Sequence, residues 1–370
     1  MRTRFAQPRC RARAAALAAL LLLAVSGSGA PPGAPPFKSL GRVEAKLTKV
    51  EHWVGHVDLS PDGTTAAYAT TKGVFVVSYP DGKLIRAMDI KGAELSFAAV
   101  SFSADGKKLV GAFPSLRVWD IESGKILTDV QFDWMPKETK DRPKGRPAVS
   151  RDAKLAVVPG LDKRISVWDL DKGKELVAGE NPFGKTLSLA LSPDGKTFAA
   201  GTSAGVWMAE TATLKTVWRG ELKEDVPSRG GYRVSFAPDG KRLYIIGPHN
   251  RLPANRERDE LLIWDVAKKE YLDQLPYPEG FRGATAAVPS ADGRYVLTTY
   301  SRSPAAVVVC LHDLKTGQLV GGVGIPETFS AYPARDGTRI LTGTTGNQIA
   351  VVSVEDILKL LPKEAEPKKP

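Results

Sequence analysis

Val100-Ser101-Phe102-Ser103-Ala104-Asp105-Gly106-Lys107-Lys108-Leu109-Val110, followed after a short loop by Leu116-Arg117-Val118-Trp119-Asp120-Ile121-Glu122-Ser123-Gly124-Lys125-Ile126-Leu127-Thr128-Asp129-Val130, decides the fold of this chain. Its short apolar runs are rich in β-branched and aromatic residues. Turn residues separate them, first Ser103-Ala104-Asp105-Gly106 and then Glu122-Ser123-Gly124. Runs of this length between Ser/Asp/Gly clusters predict strands joined by tight hairpins. One such unit is a small sheet that cannot bury its own apolar faces.

Working outward, variants of the unit recur. The aspartates of the first turn are Asp62, Asp105, Asp152, Asp194, Asp239, Asp292 and Asp336, separated by 43, 47, 42, 45, 53 and 44 residues. Six are followed by Gly, and the third by Ala153. In Ser60-Pro61-Asp62-Gly63 and Ser192-Pro193-Asp194-Gly195, Ser suits the first corner, Pro presets φ at the second and Gly suits the last. The second half of the unit has its own marker: Trp119-Asp120, Trp168-Asp169 and Trp264-Asp265. His312-Asp313 and Ala209-Glu210 take that place in units six and four, and Ser78-Tyr79 and Val352-Ser353 in units one and seven. A turn and one more short strand follow. Four strands in about 40–45 residues is the repeat of a β-propeller blade. The repetition assigns Asp62, Asp105, Asp194, Asp239, Asp292 and Asp336, with Trp119, Trp168 and Trp264, to building blades.

Over roughly residues 44–362 these repeats resemble the WD-repeat β-propellers, the likeness resting on the Phe-Ser-x-Asp-Gly and Trp-Asp anchors. The Ser-Pro-Asp-Gly-Lys turn is also similar to that of the periplasmic Tol-type propellers. The resemblance implies an all-β, seven-bladed propeller of four-stranded blades. Repeats of that family carry a Gly-His pair whose His joins a hydrogen-bonded network with a Ser or Thr, the turn Asp and the Trp. Here the histidines are His52, His56, His249 and His312, and none falls at that place, since Gly55-His56 comes too close to Ser60. The network is therefore expected to be absent or partial, with packing between sheets holding the blades together.

The seventh unit ends in Glu355-Asp356-Ile357-Leu358-Lys359-Leu360-Leu361, which has the pattern of a helical turn rather than a fourth strand. Val43 to Trp53 resembles the fourth strands elsewhere. The N-terminal strand is therefore expected to close the ring, which hides free sheet edges.

The expected organisation is a signal peptide over 1–30, a Pro-rich linker over 31–42, the propeller over 43–362 and a disordered tail over 363–370. The leader has a basic start, an apolar run from Ala14 to Val25 and a small-residue exit, the layout of a secretory signal. Twelve apolar residues are too few to span a bilayer, which takes about 20. A secreted or periplasmic protein is expected, with an N-terminal membrane anchor as the alternative; no stable membrane insertion of the propeller is expected.

The net charge of +11 is uneven. Residues 1–30 hold five arginines and no acid, leaving 47 basic against 41 acidic residues elsewhere, or +6. A nucleic-acid binder concentrates far more basic charge on one face, so that class is set aside. Of the two cysteines, Cys10 lies in the leader, and Cys310 stands in an apolar run and is expected to be a buried small hydrophobe.

In a propeller of this type, the first and third turns of every blade lie on one face. The loops between strands two and three, and between blades, lie on the other. The first set is short here; the second holds the insertions Phe132–Pro147, Glu221–Gly231, Gly247–Glu260, Pro276–Gly283 and Tyr300–Ala306. Loops carry function on a rigid scaffold. These mix basic and aromatic residues, which are typical interface anchors. The candidate partner-binding residues are Trp134, Lys137, Lys140, Arg142, Lys144, Arg146, Arg251, Arg256, Arg258, Phe281, Arg282 and Tyr300. A protein partner is expected, with an acidic protein or a polysaccharide as the chemistry that fits. A monomer is expected.

Catalytic signals are weak. Gly201-Thr202-Ser203-Ala204-Gly205 matches the Gly-x-Ser-x-Gly elbow of serine hydrolases, which needs a strand–turn–helix, but it falls in a hairpin loop. His52 and His56 have the i, i+4 spacing that faces one way on a helix, but their region reads as strand and loop. No phosphate or dinucleotide fingerprint is present. No catalytic residue, metal or cofactor is assigned. The first strands, which border the central channel, carry as ionisable groups only Asp58 and Arg233. The expectation is a non-catalytic scaffold; a propeller enzyme similar to the lactonases, or a small-ligand sensor using the channel, is the alternative.

Overall fold

The computed structural model describes residues 39–361, apart from 43–45, 53, 71, 91–98, 113–114, 133–144, 162, 222–231, 250–257, 277–283, 291, 304–305, 327, 335–337 and 345. Seven antiparallel sheets follow one another as the seven blades of a propeller. Blade one is β3 (His56–Leu59), β4 (Thr65–Ala69), β5 (Val74–Ser78) and β6 (Leu84–Met88), and blade two is β7 (Ala99–Phe102), β8 (Lys108–Ala112), β9 (Ser115–Asp120) and β10 (Ile126–Gln131). Blade three is β11 (Ala148–Val149), β12 (Leu155–Pro159), β13 (Arg164–Asp169) and β14 (Lys174–Glu180). Blade four is β15 (Thr186–Leu191), β16 (Thr197–Thr202), β17 (Gly205–Glu210) and β18 (Thr216–Glu221). Blade five is β19 (Arg233–Phe236), β20 (Arg242–His249), β21 (Arg258–Asp265) and β22 (Glu270–Pro276). Blade six is β23 (Ala284–Pro289), β24 (Tyr295–Ser303), β25 (Ala306–Asp313) and β26 (Gln318–Pro326).

Blade seven has three strands of its own, β27 (Thr328–Pro333), β28 (Arg339–Thr344) and β29 (Gln348–Ser353). After β29 the chain turns into the short helix α1 (Val354–Leu358), capped by Ser353, whose hydroxyl accepts the Glu355 N–H. The expected helical turn is therefore present, and the fourth strand comes from the other end of the chain. β2 (Lys46–Lys49) pairs antiparallel with β29, from Lys46 opposite Val351 to Lys49 opposite Gln348, and closes the ring.

One N-terminal element departs from the sequence reading. Residues 39–42, assigned to the end of the linker, form β1 (Ser39–Arg42), which adds parallel to β26 as a fifth strand of blade six. Leu40 packs against the cluster that Leu297, Val323 and Ile340 form between blades six and seven. Residues 1–38 and 362–370 lie outside the described residues.

The core is not one mass. Seven clusters fill the seven gaps between neighbouring blades, for example Trp119, Phe102 and Val76 between blades one and two, and Ile340, Val352 and Val309 between six and seven. Each blade is buried on both faces, so its middle strands are buried almost throughout, as in Leu116-Arg117-Val118-Trp119, where even Arg117 is covered.

The first turns repeat one arrangement. The Ser60 hydroxyl donates to Asp62 Oδ1 at 2.6 Å, and the Thr64 N–H donates to the same carboxylate at 3.0 Å. Ser103 with Asp105, Ser150 with Asp152, Ser192 with Asp194 and Ser290 with Asp292 reproduce it. The residue after the aspartate takes φ near +70° where it is Gly, and Ala153 accepts φ of 55° in its place. These hydroxyl and amide donors hold the carboxyls of Asp62, Asp105, Asp194 and Asp292 below the ordinary range. Asp239 follows Ala237 in the chain and lacks the serine, keeping only the Lys241 N–H, at 2.9 Å. Asp336 lies outside the described residues.

The aspartates of the third turns work in the same way. Asp120 accepts from the Ser123 N–H and hydroxyl, Asp169 from the Lys172 N–H and Asp265 from the Lys268 N–H. The tryptophans find separate partners: Trp119 Nε1 donates to the Asp89 carbonyl of blade one at 2.9 Å, and Trp168 Nε1 to Ser166 Oγ at 2.8 Å. Trp264 is buried and stacks on Trp218 of blade four with ring centroids 4.1 Å apart. The Ser–Asp part of the expected network is thus present, while each Trp anchors its blade differently.

Candidate functional site

A propeller offers two sites, the channel through the ring and the loops on its faces. The channel wall is built by the first strands, each of which is the edge of its sheet. An edge strand presents backbone N–H groups with no strand partner, and these need acceptors. Side chains of the preceding blade supply them. His56 Nδ1 accepts from the Val100 N–H at 3.3 Å, Asp58 Oδ2 from the Phe102 N–H at 2.9 Å and Ser188 Oγ from the Val234 N–H at 3.2 Å. Ser235 donates to the Ala287 carbonyl at 3.0 Å. The polar groups of the inner wall therefore tie blade one to two, four to five and five to six.

This wall holds more ionisable groups than the sequence reading placed there. β3 starts at His56 rather than Val57, which brings His56 into the strand. Counting back four residues from each turn position (Ser60, Ser150, Ser192, Ala237) gives His56, Arg146, Ser188 and Arg233. Arg146, read as a loop residue, thus stands half-buried at the register of the channel wall, just before β11. The signal was available, since counting from the turn serine finds both residues, but it needed the strand register.

On the turn face one side chain joins two blades that are not neighbours. Arg151, next to Ser150 in the first turn of blade three, donates from Nη2 to the Pro238 carbonyl in the first turn of blade five at 3.2 Å. Its own carbonyl accepts the Ala104 N–H of blade two.

On the opposite face, blades five and six stand taller than the rest. Their second and third strands run eight or nine residues, against five or six in the other blades. β20 and β21 stay paired up to His249 opposite Arg258, and β24 and β25 up to Ser303 opposite Ala306. These extensions overturn one loop assignment. Tyr300 is not a loop anchor: it lies within β24, fully buried between blades five and six, where Thr298 donates a hydrogen bond to its hydroxyl at 3.2 Å. Arg258 begins β21, next to the 250–257 stretch. Trp134, Lys137, Lys140, Arg142, Lys144, Arg251, Arg256, Phe281 and Arg282 lie outside the described residues.

The remaining chemical signals resolve into structure. Thr202 and Gly205 end β16 and start β17, and Thr202 Oγ1 accepts the N–H groups of Ala204 and Gly205. Thr70 does the same for Lys72 and Gly73, so the elbow-like stretch is a hairpin with no helix after it. His52 packs against the Phe75 ring while His56 faces blade two. Cys310 is fully buried, and burial pushes its thiol well above the ordinary range, which makes it a poor nucleophile. Among the described residues no group of three or more His, Cys, Asp or Glu side chains is arranged to hold a metal ion.

Among solved structures, the chain is similar to Kuenenia stuttgartiensis hydrazine synthase, with a TM-score of 0.62 over 88% of this chain and 99% of the other, at 18% identity. Likeness at that identity shows the propeller fold and no more. No protein-family model matches the chain, and no curated protein does.

Proposed function

We propose that this chain is a degenerate WD-repeat-like propeller working outside the cytoplasm as a non-catalytic scaffold, docking a protein partner on its long-loop face. The observation that carries the reading is the asymmetry of that face. The β20–β21 and β24–β25 hairpins of blades five and six extend beyond their neighbours, and the insertions Glu221–Gly231 and Pro276–Gly283 adjoin them in the chain. A raised rim whose adjoining sequence is basic and aromatic fits a partner with an acidic surface. The use of wall groups such as His56, Asp58, Ser188 and Ser235 in ties between blades favours a structural over a catalytic role for the channel. The leader layout supports export.

Charge reversal of Arg251, Arg256 and Arg258 together, compared with reversal of Lys107 and Lys241 on the turn face, tests the reading. Crosslinking in the exported fraction is expected to recover a partner with the wild type and the turn-face variant and to lose it with the loop variant. Equal recovery by all three rejects the long-loop face as the docking surface.

A further inference from the structure

We infer that the outer edge of blade six is a docking strand for an extended segment of a partner protein, one that sets a large apolar residue between small ones, and that residues 39–42 of this chain occupy it in cis. The outer strands of the ring are β2, β6, β10, β14, β18, β22 and β26. A bare sheet edge invites another strand, and charged side chains on the edge are a common guard. Each of the first six carries at least one, such as Arg86 in β6, Asp129 in β10 and Arg219 in β18. β26, Gln-Leu-Val-Gly-Gly-Val-Gly-Ile-Pro, carries none. At nine residues it is also the longest of the seven among the described residues.

The seated segment shows the chemistry that the edge accepts. β1 adds parallel, with Ser39 opposite Gly322, Gly41 opposite Val323 and Arg42 opposite Gly324. The register breaks between Ser39 and Gly41, which leaves Leu40 out of the ladder. Its side chain packs instead against the cluster of Leu297, Val323 and Ile340. A backbone ladder tolerates many sequences, so the contact of the bulged residue supplies the selectivity. The hold on β1 is light, three paired residues and one partly buried leucine. Its covalent link to β2 sets a high local concentration of the segment, which a partner must outcompete. β1 pairs with three of the nine residues of β26, so a longer segment has more ladder to gain. The edge lies on the outer rim and does not depend on what the long loops bind.

Fluorescence anisotropy of the full chain with fluorescein-labelled Gly-Gly-Ser-Leu-Gly-Arg-Gly-Gly, and with the same peptide carrying Asp for Leu, tests the inference. Leu40→Asp, and the milder Leu40→Ser, remove the anchor of β1. Each variant is expected to bind one Leu peptide per chain, at least about tenfold more tightly than wild type. The Asp peptide is expected to bind at least about tenfold more weakly than the Leu peptide. Unfolding midpoints close to wild type show that the variants are folded. Arg42→Cys and Gly324→Cys, added to Leu40→Ser, place two thiols in register, and a Cβ at Gly324 meets no atom within 4 Å. Oxidised, this variant is expected to lock β1 in place and bind no peptide; reduced, it is expected to bind like Leu40→Ser. No binding to either Leu40 variant at millimolar peptide, equal binding of the two peptides, or equal binding by the oxidised and reduced forms overturns the docking strand. A disulfide that joins two chains assigns the edge to a second copy and overturns the partner segment.

Discussion

Asp58 Oδ2 accepts the backbone N–H of Phe102 at 2.9 Å, joining the inner strands of blades one and two, while its Oδ1 takes the N–H of Leu59 at 2.9 Å. The carboxylate is buried, so each N–H it loses is left in a dry site. Such a group costs about 1–3 kcal/mol when orphaned. Asp58→Ala is expected to lower stability by about 2–4 kcal/mol, and Asp58→Asn, which keeps one acceptor, by less. Urea unfolding checks this; equal losses in the two variants would show that charge, not acceptance, is what matters.

Ring closure gives a second test. Removing residues 1–42 takes away β1 but leaves β2 on blade seven; removing 1–49 opens the ring. The longer truncation also loses the buried Thr48, whose hydroxyl donates to the Pro80 carbonyl of blade one at 2.9 Å. The shorter truncation is expected to shift Tm by a few degrees. The longer one is expected to shift it by about 10 °C and to cause self-association through the bare β29 edge. Similar Tm values for both would reject β2 as the closing strand.

His312 stands where other units have tryptophan. It is fully buried, and burial pushes its pKa down to about 4. Its Nε2 lies 3.1 Å from Thr298 Oγ1. The folded value is below that of the unfolded chain, near 6.5, so the unfolded state takes up protons first as pH falls. This contribution is complete above about pH 6.5 and is lost progressively toward pH 4, amounting to about 2–3 kcal/mol. His312→Phe is expected to flatten stability over that window. An unchanged slope of the urea midpoint against pH in the variant would show that His312 is not its source.

The turn aspartates act at lower pH. Ser192 and the Lys196 N–H depress the Asp194 carboxyl. Its folded pKa lies below the unfolded value, so its stabilisation is present above about pH 4 and is lost as pH falls through the folded pKa. Ser192→Ala removes the main hydrogen bond and is expected to raise the Asp194 midpoint in a carboxyl NMR titration. A midpoint unmoved by the substitution would assign the depression to the backbone alone.

Arg117 and Asp129 face each other on β9 and β10, 2.9 Å apart, with the guanidinium buried and the carboxylate about a third exposed. That difference sets the order of two variants. Asp129→Ala leaves a buried charge without its carboxylate and is expected to cost about 3 kcal/mol. Arg117→Met leaves a carboxylate that water can reach and is expected to cost less. The reverse order in chemical denaturation would contradict the burial argument.

Most of the architecture is legible in the residues because it is local and repeated. Ser-x-Asp-Gly sets a turn through bonds that span two to five residues, and its four exact copies carry the three that depart from it at one position. Closure by the N-terminal strand is legible too, because α1 takes the place of a fourth strand and Val43 to Trp53 carries the missing pattern. What depends on pairing is not legible. Tyr300 looks like a loop anchor until the extended pairing of β24 with β25 draws it into the core, because a strand's length is set by its partner. β1 carries no strand signal of its own and forms by adding to the edge of β26. His56 and Arg146 join the channel wall only once register is known, since one residue of slip moves a side chain to the other face.

The sequence alone determined that seven similar sheets exist and what builds their turns, because those choices are made by neighbours in the chain. Which side chains meet across the ring was decided by tertiary structure. Arg151 and Pro238 are 87 residues apart, and Arg339 reaches Gly63 from the opposite end of the chain. Only the closed circle, which returns the last blade to the first, brings such residues to one channel mouth.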